Sequence, residues 1–298
     1  MPVTELRDLV EAELFEPVDP RVSAMAAAVA AQHGAASRAV LFYGSCLREK
    51  QLEGLMLDFY LIVSDYREAY DKRWLAAANR AIPPNVFPFA FQGLSAKYAV
   101  LSEADFAREC SPEAPTVSVY ARFAQPARLV WAADEAARAR AVATVATAAP
   151  TLLGLIRPVA TDEEAADSLA LWRKAFAYTY RAELRAERKA RAGSIVDSDP
   201  QRYARIAAAV GIERRAFTAS ERAAAERRWR ALQRRGKRTS VYRLAKASLT
   251  FAGGVEYLAW KISRHSGEEI HLKPWQRRWP LLAAITLLPR LVRRGAIR

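Results

Sequence analysis

Residues 56–63 read Met-Leu-Asp-Phe-Tyr-Leu-Ile-Val, an apolar and aromatic run with one carboxylate, Asp58, set inside it. A run of this length and make-up reads as a β-strand. An aspartate placed in such a strand costs several kcal/mol unless a cation or metal answers it. Asp58 is therefore expected to be paired or metal-bound. Upstream, Val40-Leu41-Phe42-Tyr43 forms a second short apolar run that stops at Gly44-Ser45, as a strand does when it enters a tight turn.

The surrounding pattern mixes strands and helices up to about residue 135. Residues 4–33 read as helical, with Leu6, Leu9, Val10 and Leu14 on one face. A helix is expected over 70–80. Pro83, Pro84 and Pro88 then predict an extended, looped passage. Residues 97–101 and 127–131 read as strands, with a helix over 102–110 between them. Beyond 135 the chain turns helical, rich in Ala, Leu, Glu and Arg. Thr161, followed by Asp162, Glu163 and Glu164, opens one helix. Helix is expected over 200–234, a break at Gly236-Lys237-Arg238, and a further amphipathic helix over 240–264.

Nucleotidyl transfer gives Asp58 a purpose. Carboxylates there hold magnesium ions that bridge triphosphate oxygens and offset charge developing in the transition state. A Gly-Ser turn lets backbone N–H groups approach phosphate, and the serine hydroxyl can donate to it. The ordinary alternatives are a strand-ending turn at Gly44-Ser45 and a satisfied strand-edge carboxylate at Asp58.

A strand ending in Gly-Ser followed by a strand aspartate resembles the active-site motif of the polymerase-β-like nucleotidyltransferase superfamily. That superfamily places a second acid two residues on, where this chain has Tyr60. More of the chain resembles the mitochondrial-type phosphatidate cytidylyltransferases, the CDP-diacylglycerol synthases of the translocator-maintenance family, which also carry an apolar residue at that point. The residues that carry the resemblance are Phe42-Tyr43-Gly44-Ser45-Cys46, Leu57 to Val63, Lys97-Tyr98-Ala99-Val100-Leu101, Val119 to Ala127, Thr179 to Arg185, and Lys246 to Thr250 with Tyr257 and Lys261-Ile262. They run in order over residues 40–264. Cys46, Ala99 and Ala182 stand where the family has glycine, and Glu183 where it has aspartate.

The resemblance implies an α+β fold: a polymerase-β-like nucleotidyltransferase domain over 1–135, a helical, winged-helix-like domain over 136–235, and a membrane-facing C-terminal segment over 236–298. It implies Mg2+ as cofactor, with Asp58 as its ligand and Glu183 as a further acid or nucleotide contact. Gly44, Ser45, Lys97 and Arg185 would bind the nucleotide, CTP, and Lys246 a phosphate or lipid headgroup. Asp65 is an outside candidate for a second metal ligand. Cys46 has no histidine near it in sequence to support nucleophilic chemistry.

Charge and tail composition bear on partners. There are 46 Lys and Arg against 32 Asp and Glu, a formal charge of +14, which favours anionic partners. Two cysteines and three scattered histidines give no disulfide framework and no zinc spacing. The N-terminus lacks signal-peptide order, and the apolar stretch Leu281–Leu288 is too short to span a bilayer. Trp275, Arg277, Arg278 and Trp279, with Arg290, Arg293 and Arg294, suit an interfacial segment on anionic lipid. The expectation is a peripheral protein on the cytoplasmic face of a membrane, bacterial by its Ala- and Arg-rich composition, transferring a cytidylyl group to a lipid phosphate. The rival readings are an RNA or tRNA nucleotidyltransferase, served by the arginines over 214–238, and a non-catalytic scaffold on anionic membrane. The Trp-flanked tail argues against nucleic acid.

Overall fold

The computed structural model describes residues 2–49, 52, 54–183, 191–211 and 215–250. The chain opens with α1 (Pro2–Leu14) and α2 (Pro20–Ala31), two helices where the sequence predicts one. Pro17 and Pro20 cause the division. Pro20 sits in the first turn of α2, where a missing N–H costs nothing, and the Asp19 side chain caps it by accepting from Arg21 N at 2.9 Å.

Then follow β1 (Ser37–Tyr43), the short α3 (Ser45–Glu49), β2 (Met56–Val63), α4 (Tyr66–Ala69), α5 (Arg73–Ala81), β3 (Asn85–Phe91), β4 (Leu94–Ser102), α6 (Glu103–Cys110), α7 (Tyr120–Phe123) and β5 (Ala127–Ala132). The five strands form one mixed sheet in the order β3-β4-β2-β1-β5. β2 runs parallel to β4 and antiparallel to β1, and the two outer pairings are antiparallel. The proline-rich passage predicted as extended and looped is extended as expected, but over Asn85–Phe91 it pairs as strand β3. Pro88 is tolerated because β3 lies at the sheet's edge, and no ladder donor is needed on its open side.

The remaining elements are helical: α8 (Glu135–Ala146), α9 (Ala148–Ile156), α10 (Asp162–Ala166), α11 (Ser168–Ala182), α12 (Arg191–Asp197), α13 (Pro200–Val210) and α14 (Ala219–Thr250). Thr161 opens α10 through a capping box with Glu164. The architecture is α+β, with a strand-rich first half and helices after it.

Strand side chains alternate between two apolar layers. Ala39, Leu41, Tyr60, Ile62, Ala99 and Leu101 face a core shared with α1, α6 to α9, α11, α13 and Trp229 of α14. Val40, Phe42, Leu57, Phe59, Leu61, Val63, Tyr98 and Val100 face the layer of α2, α4 and α5. β2 is thus covered on both sides, which explains its almost unbroken apolar sequence. Asp58 has the parity of Tyr60, and Lys97 that of Ala99, so both belong to the first layer's face.

Two features fix the helices against that face. Arg202 of α13 is 5% exposed and pairs with Glu13 of α1, with a 2.9 Å contact from Nη2 to Oε1. The second feature corrects an expectation. The break predicted at Gly236 is absent, and α14 runs unbroken from Ala219 to Thr250. Gly236 is instead where α14 crosses the end of α11: a Cβ there would lie 2.2 Å from the Ala182 carbonyl oxygen. Residues 135–159 are long and apolar enough to cross a membrane by length and composition. They are two helices meeting at Thr147, and Val142, Val145, Leu152, Leu153 and Ile156 are buried in the core.

Candidate active site

The site forms where β1 ends, beside the start of β2 and β4. Tyr43 pairs with Asp58 across the antiparallel ladder, and Asp58 pairs with Lys97 across the parallel one. Lys97 Nζ lies 2.9 Å from Asp58 Oδ1. The cation that the half-buried Asp58 demands is supplied by the neighbouring strand. The two side chains keep 30% and 18% exposure, so the pair is open enough to rearrange around a ligand.

Gly44 follows directly. Its φ of +99° is one that side-chain-bearing residues rarely adopt, and a Cβ there would sit 2.9 Å from Asp58 Oδ2. The glycine is needed for conformation and because no side chain fits between the turn and the carboxylate. Ser45 begins α3. Cys46 is buried and donates from Sγ to the Met56 carbonyl at 3.5 Å, which ties the turn to the start of β2. Its role is packing.

Tyr60 stands on the same face as Asp58, two residues on, where a second acid would stand in the superfamily pattern. It is 3% exposed, with its ring 5.2 Å from Tyr43 and 5.3 Å from Phe123. Burial raises its phenol pKa above the usual value. Aromatic packing fills this place in the sheet. Asp65 lies two residues beyond the end of β2, past the end of the strand opposite to Asp58. It caps α4 and pairs with Arg80 at 3.4 Å.

Arg122 enters from α7. Its Nη1 lies 3.2 Å from Glu183 Oε1 and also donates to the Ser118 carbonyl oxygen. Glu183 ends α11 and is 8% exposed. Burial opposes the charge on Arg122, but the field of Glu183, joined by Tyr60, Tyr43 and Asp58, outweighs it and raises the guanidinium pKa. Arg122 therefore stays cationic within electrostatic reach of Asp58. Glu183 holds it there.

α14 delivers two more cations. Arg243 donates from Nε to the Pro83 carbonyl at 2.7 Å and from Nη1 to Ser118 Oγ at 2.8 Å. Lys246 Nζ donates to the Ile82 carbonyl oxygen. Burial, with Arg243 beside it, brings the Lys246 ammonium down to about 7.

The structure thus brings Gly44, Ser45, Asp58 and Lys97 together, places Glu183 behind Arg122, and sets Lys246 beside Arg243. Arg185, Trp275, Arg277, Arg278 and Trp279 lie outside the described residues. Sequence reasoning missed Arg122, Arg243 and Ser118. Arg243 precedes Lys246 by one helical turn and shares its face, a spacing visible in the sequence. Nothing local marks Arg122, whose importance comes from a partner 61 residues away.

No group of three or more His, Cys, Asp or Glu side chains that could hold a metal occurs among the described residues. A site with two protein-held metals does not fit this donor set. A single magnesium ion held mainly by triphosphate oxygens and water, with one protein carboxylate, does fit Asp58, because magnesium dehydrates reluctantly and is commonly bound this way.

No family model matches the chain, and no curated protein matches it. A solved structure described as a nucleotidyltransferase-like protein from Exiguobacterium sibiricum 255-15 is similar over 93% of each chain, at 9% sequence identity and a TM-score of 0.30. A TM-score that low does not establish a shared fold, and no part of the functional reading rests on it.

Proposed function

We propose that the chain is a nucleotidyltransferase, acting on CTP and a lipid phosphate to give a CDP-lipid and pyrophosphate at a membrane surface. The observation that carries the transfer reading is the close approach of the Gly44 turn to Asp58. A glycine with positive φ lets the turn backbone lie against a carboxylate whose other oxygen is held by Lys97. The choice of CTP and of a lipid acceptor rests on the sequence resemblance.

In this reading the triphosphate lies along the Gly44-Ser45 turn, whose backbone N–H groups and serine hydroxyl donate to it. Lys97 and Arg122 offset its charge, and Glu183 positions Arg122. Asp58 would hold Mg2+, which supplies charge neutralisation on the triphosphate. An oxygen of the acceptor phosphate attacks the α-phosphorus in line. The new P–O bond forms as the α–β bridging P–O bond breaks, and pyrophosphate carries away the electron pair. No general base is required, since a phosphate acceptor is already anionic. Trp275, Arg277, Arg278 and Trp279 are proposed to bring the enzyme to anionic lipid.

The test is a transfer assay with Mg2+, radiolabelled CTP or ATP, and vesicles with or without phosphatidate. Label should enter lipid only with CTP and phosphatidate. Asp58→Asn should abolish that transfer with little change in Tm, because a pair this exposed contributes about 0–1 kcal/mol. Label entering added RNA instead would replace the acceptor. No transfer under any condition would overturn the reading.

A further inference from the structure

Three cations lie along one chain of hydrogen bonds on the helical side of the sheet. Ser118, itself 5% exposed, accepts from Arg122 at its carbonyl oxygen and from Arg243 at its hydroxyl. The consecutive carbonyls of Ile82 and Pro83 accept from Lys246 and Arg243. Arg122, Arg243 and Lys246 are therefore held in sequence by two short stretches of backbone, although they come from two helices.

Their charges are unevenly answered. Arg122 has Glu183 at 3.2 Å. Arg243 and Lys246 make no ion pair among the described residues, and their hydrogen bonds there go to neutral oxygens. The other acid in the neighbourhood, Glu109, is 1% exposed and accepts from Thr116 Oγ1 at 3.2 Å. Burial raises its pKa against the opposing field of Arg243, and it makes no ion pair with either cation among the described residues. Two partly buried cations one helical turn apart, bonded only to neutral acceptors, repel each other and favour an anion between or above them.

Three carbonyl or hydroxyl oxygens do not require charged donors. A helix clamped to a loop is served as well by neutral amides, with no desolvation cost for charge. Arg243 and Lys246 keep partial exposure despite their contacts, so a ligand can reach them.

We propose that Arg243 and Lys246, with Arg122 at their flank, form a binding subsite for the phosphate group of a phosphate monoester, separate from the Gly44–Asp58 turn. This deepens the transfer reading by assigning residues to the acceptor, and it rests on that reading only for the acceptor role. Phosphate binding itself stands on the cation arrangement alone. A free phosphate and a lipid phosphomonoester share the chemistry recognised.

The experiment is titration calorimetry on the full chain with inorganic phosphate, with dihexanoyl phosphatidate below its micelle concentration, and with CTP. Each is repeated on Lys246→Gln, Lys246→Arg and Lys97→Gln. Tm verifies that each variant folds. The expected result is binding of phosphate by the wild type, weakened at least tenfold by Lys246→Gln and largely retained by Lys246→Arg, while Lys97→Gln weakens CTP. Tighter binding of the lipid with the same dependence assigns the subsite to a lipid acceptor. Equal binding assigns it to free phosphate groups, and either supports the subsite. Undetectable phosphate binding by the wild type, or equal binding by a folded Lys246→Gln protein, would overturn it and leave the cations as a clamp. CTP binding that Lys97→Gln leaves unchanged, with phosphate binding lost only in Lys246→Gln, would sink the nucleotide site and keep the subsite.

Discussion

Gly236 of α14 meets Ala182 of α11 so closely that a Cβ on the glycine would lie 2.2 Å from the alanine carbonyl oxygen. The crossing couples both halves of the site. Ala182 directly precedes Glu183, which holds Arg122, and Gly236 lies seven and ten residues before Arg243 and Lys246 on one helix. In an ordinary helix interior, Gly→Ala would stabilise by about 1 kcal/mol. Here the contact is with backbone that cannot swing aside, and forced separation costs typically 1–3 kcal/mol. Gly236→Ala is expected to lower stability by about 1–2 kcal/mol in urea unfolding, and to weaken phosphate binding. A stabilised variant would mean the helices do not cross here.

Gly44→Ala tests the turn. The substitution forces a side chain into a φ of +99° and against Asp58 Oδ2, a backbone strain of order 1–3 kcal/mol. Displacing the carboxylate by as little as ~1 Å should lower turnover on the order of 100-fold. Steady-state rates with CTP and phosphatidate vesicles, alongside Tm, measure both effects. Unchanged turnover would place the chemistry elsewhere.

Glu183→Gln separates a positioning role from a metal-binding one. It removes the counter-charge of Arg122, whose side chain is 26% exposed, but leaves an amide oxygen to accept the hydrogen bond. Stability should fall by about 2 kcal/mol, less than complete loss of a buried partner. If Glu183 acts through Arg122, the KM for CTP should rise while the Mg2+ concentration giving half-maximal rate stays put. A large rise in the magnesium requirement would make Glu183 a ligand instead.

Lys246 predicts a pH dependence. Its folded pKa, near 7, lies below the ordinary value of 10.5 because of burial and Arg243. Between about 7 and 10.5 the unfolded chain binds the extra proton, so this group makes stability rise with pH across that window. Anion binding has the opposite sign, since a bound phosphate favours the charged ammonium. The ratio of phosphate affinities, wild type over Lys246→Arg, should fall as pH rises above 7, approaching roughly tenfold per pH unit. Taking the ratio cancels the titration of phosphate itself. A ratio flat from pH 6 to 9 would remove Lys246 from the subsite.

Much of the sheet was legible in the sequence because its signals are local. β2 occupies the predicted residues 56–63, and the strands at 40–43, 97–101 and 127–131 lie within observed strands. An apolar run covered on both faces, a turn glycine, and a serine or threonine before an acidic first turn each act within a few residues. Asp58 stood out for the same reason: a carboxylate in such a run needs an explanation whatever the fold. The failures share a cause as well. Pro88 reads as a strand breaker unless its strand is known to lie at an edge, and edge position is set by pairing with β4. Gly236 reads as a helix break unless another helix is known to cross there. Lys97 answers Asp58 across a parallel ladder, Glu183 answers Arg122 over 61 residues, and Ser118 joins Arg122 to Arg243 of α14. By itself the sequence determined most of the strands and where a costly carboxylate stands, because backbone propensity and desolvation act locally. Only the tertiary structure decided which cations meet that carboxylate and which, among the described residues, are left without an ion pair, because electrostatic pairing depends on distance in space.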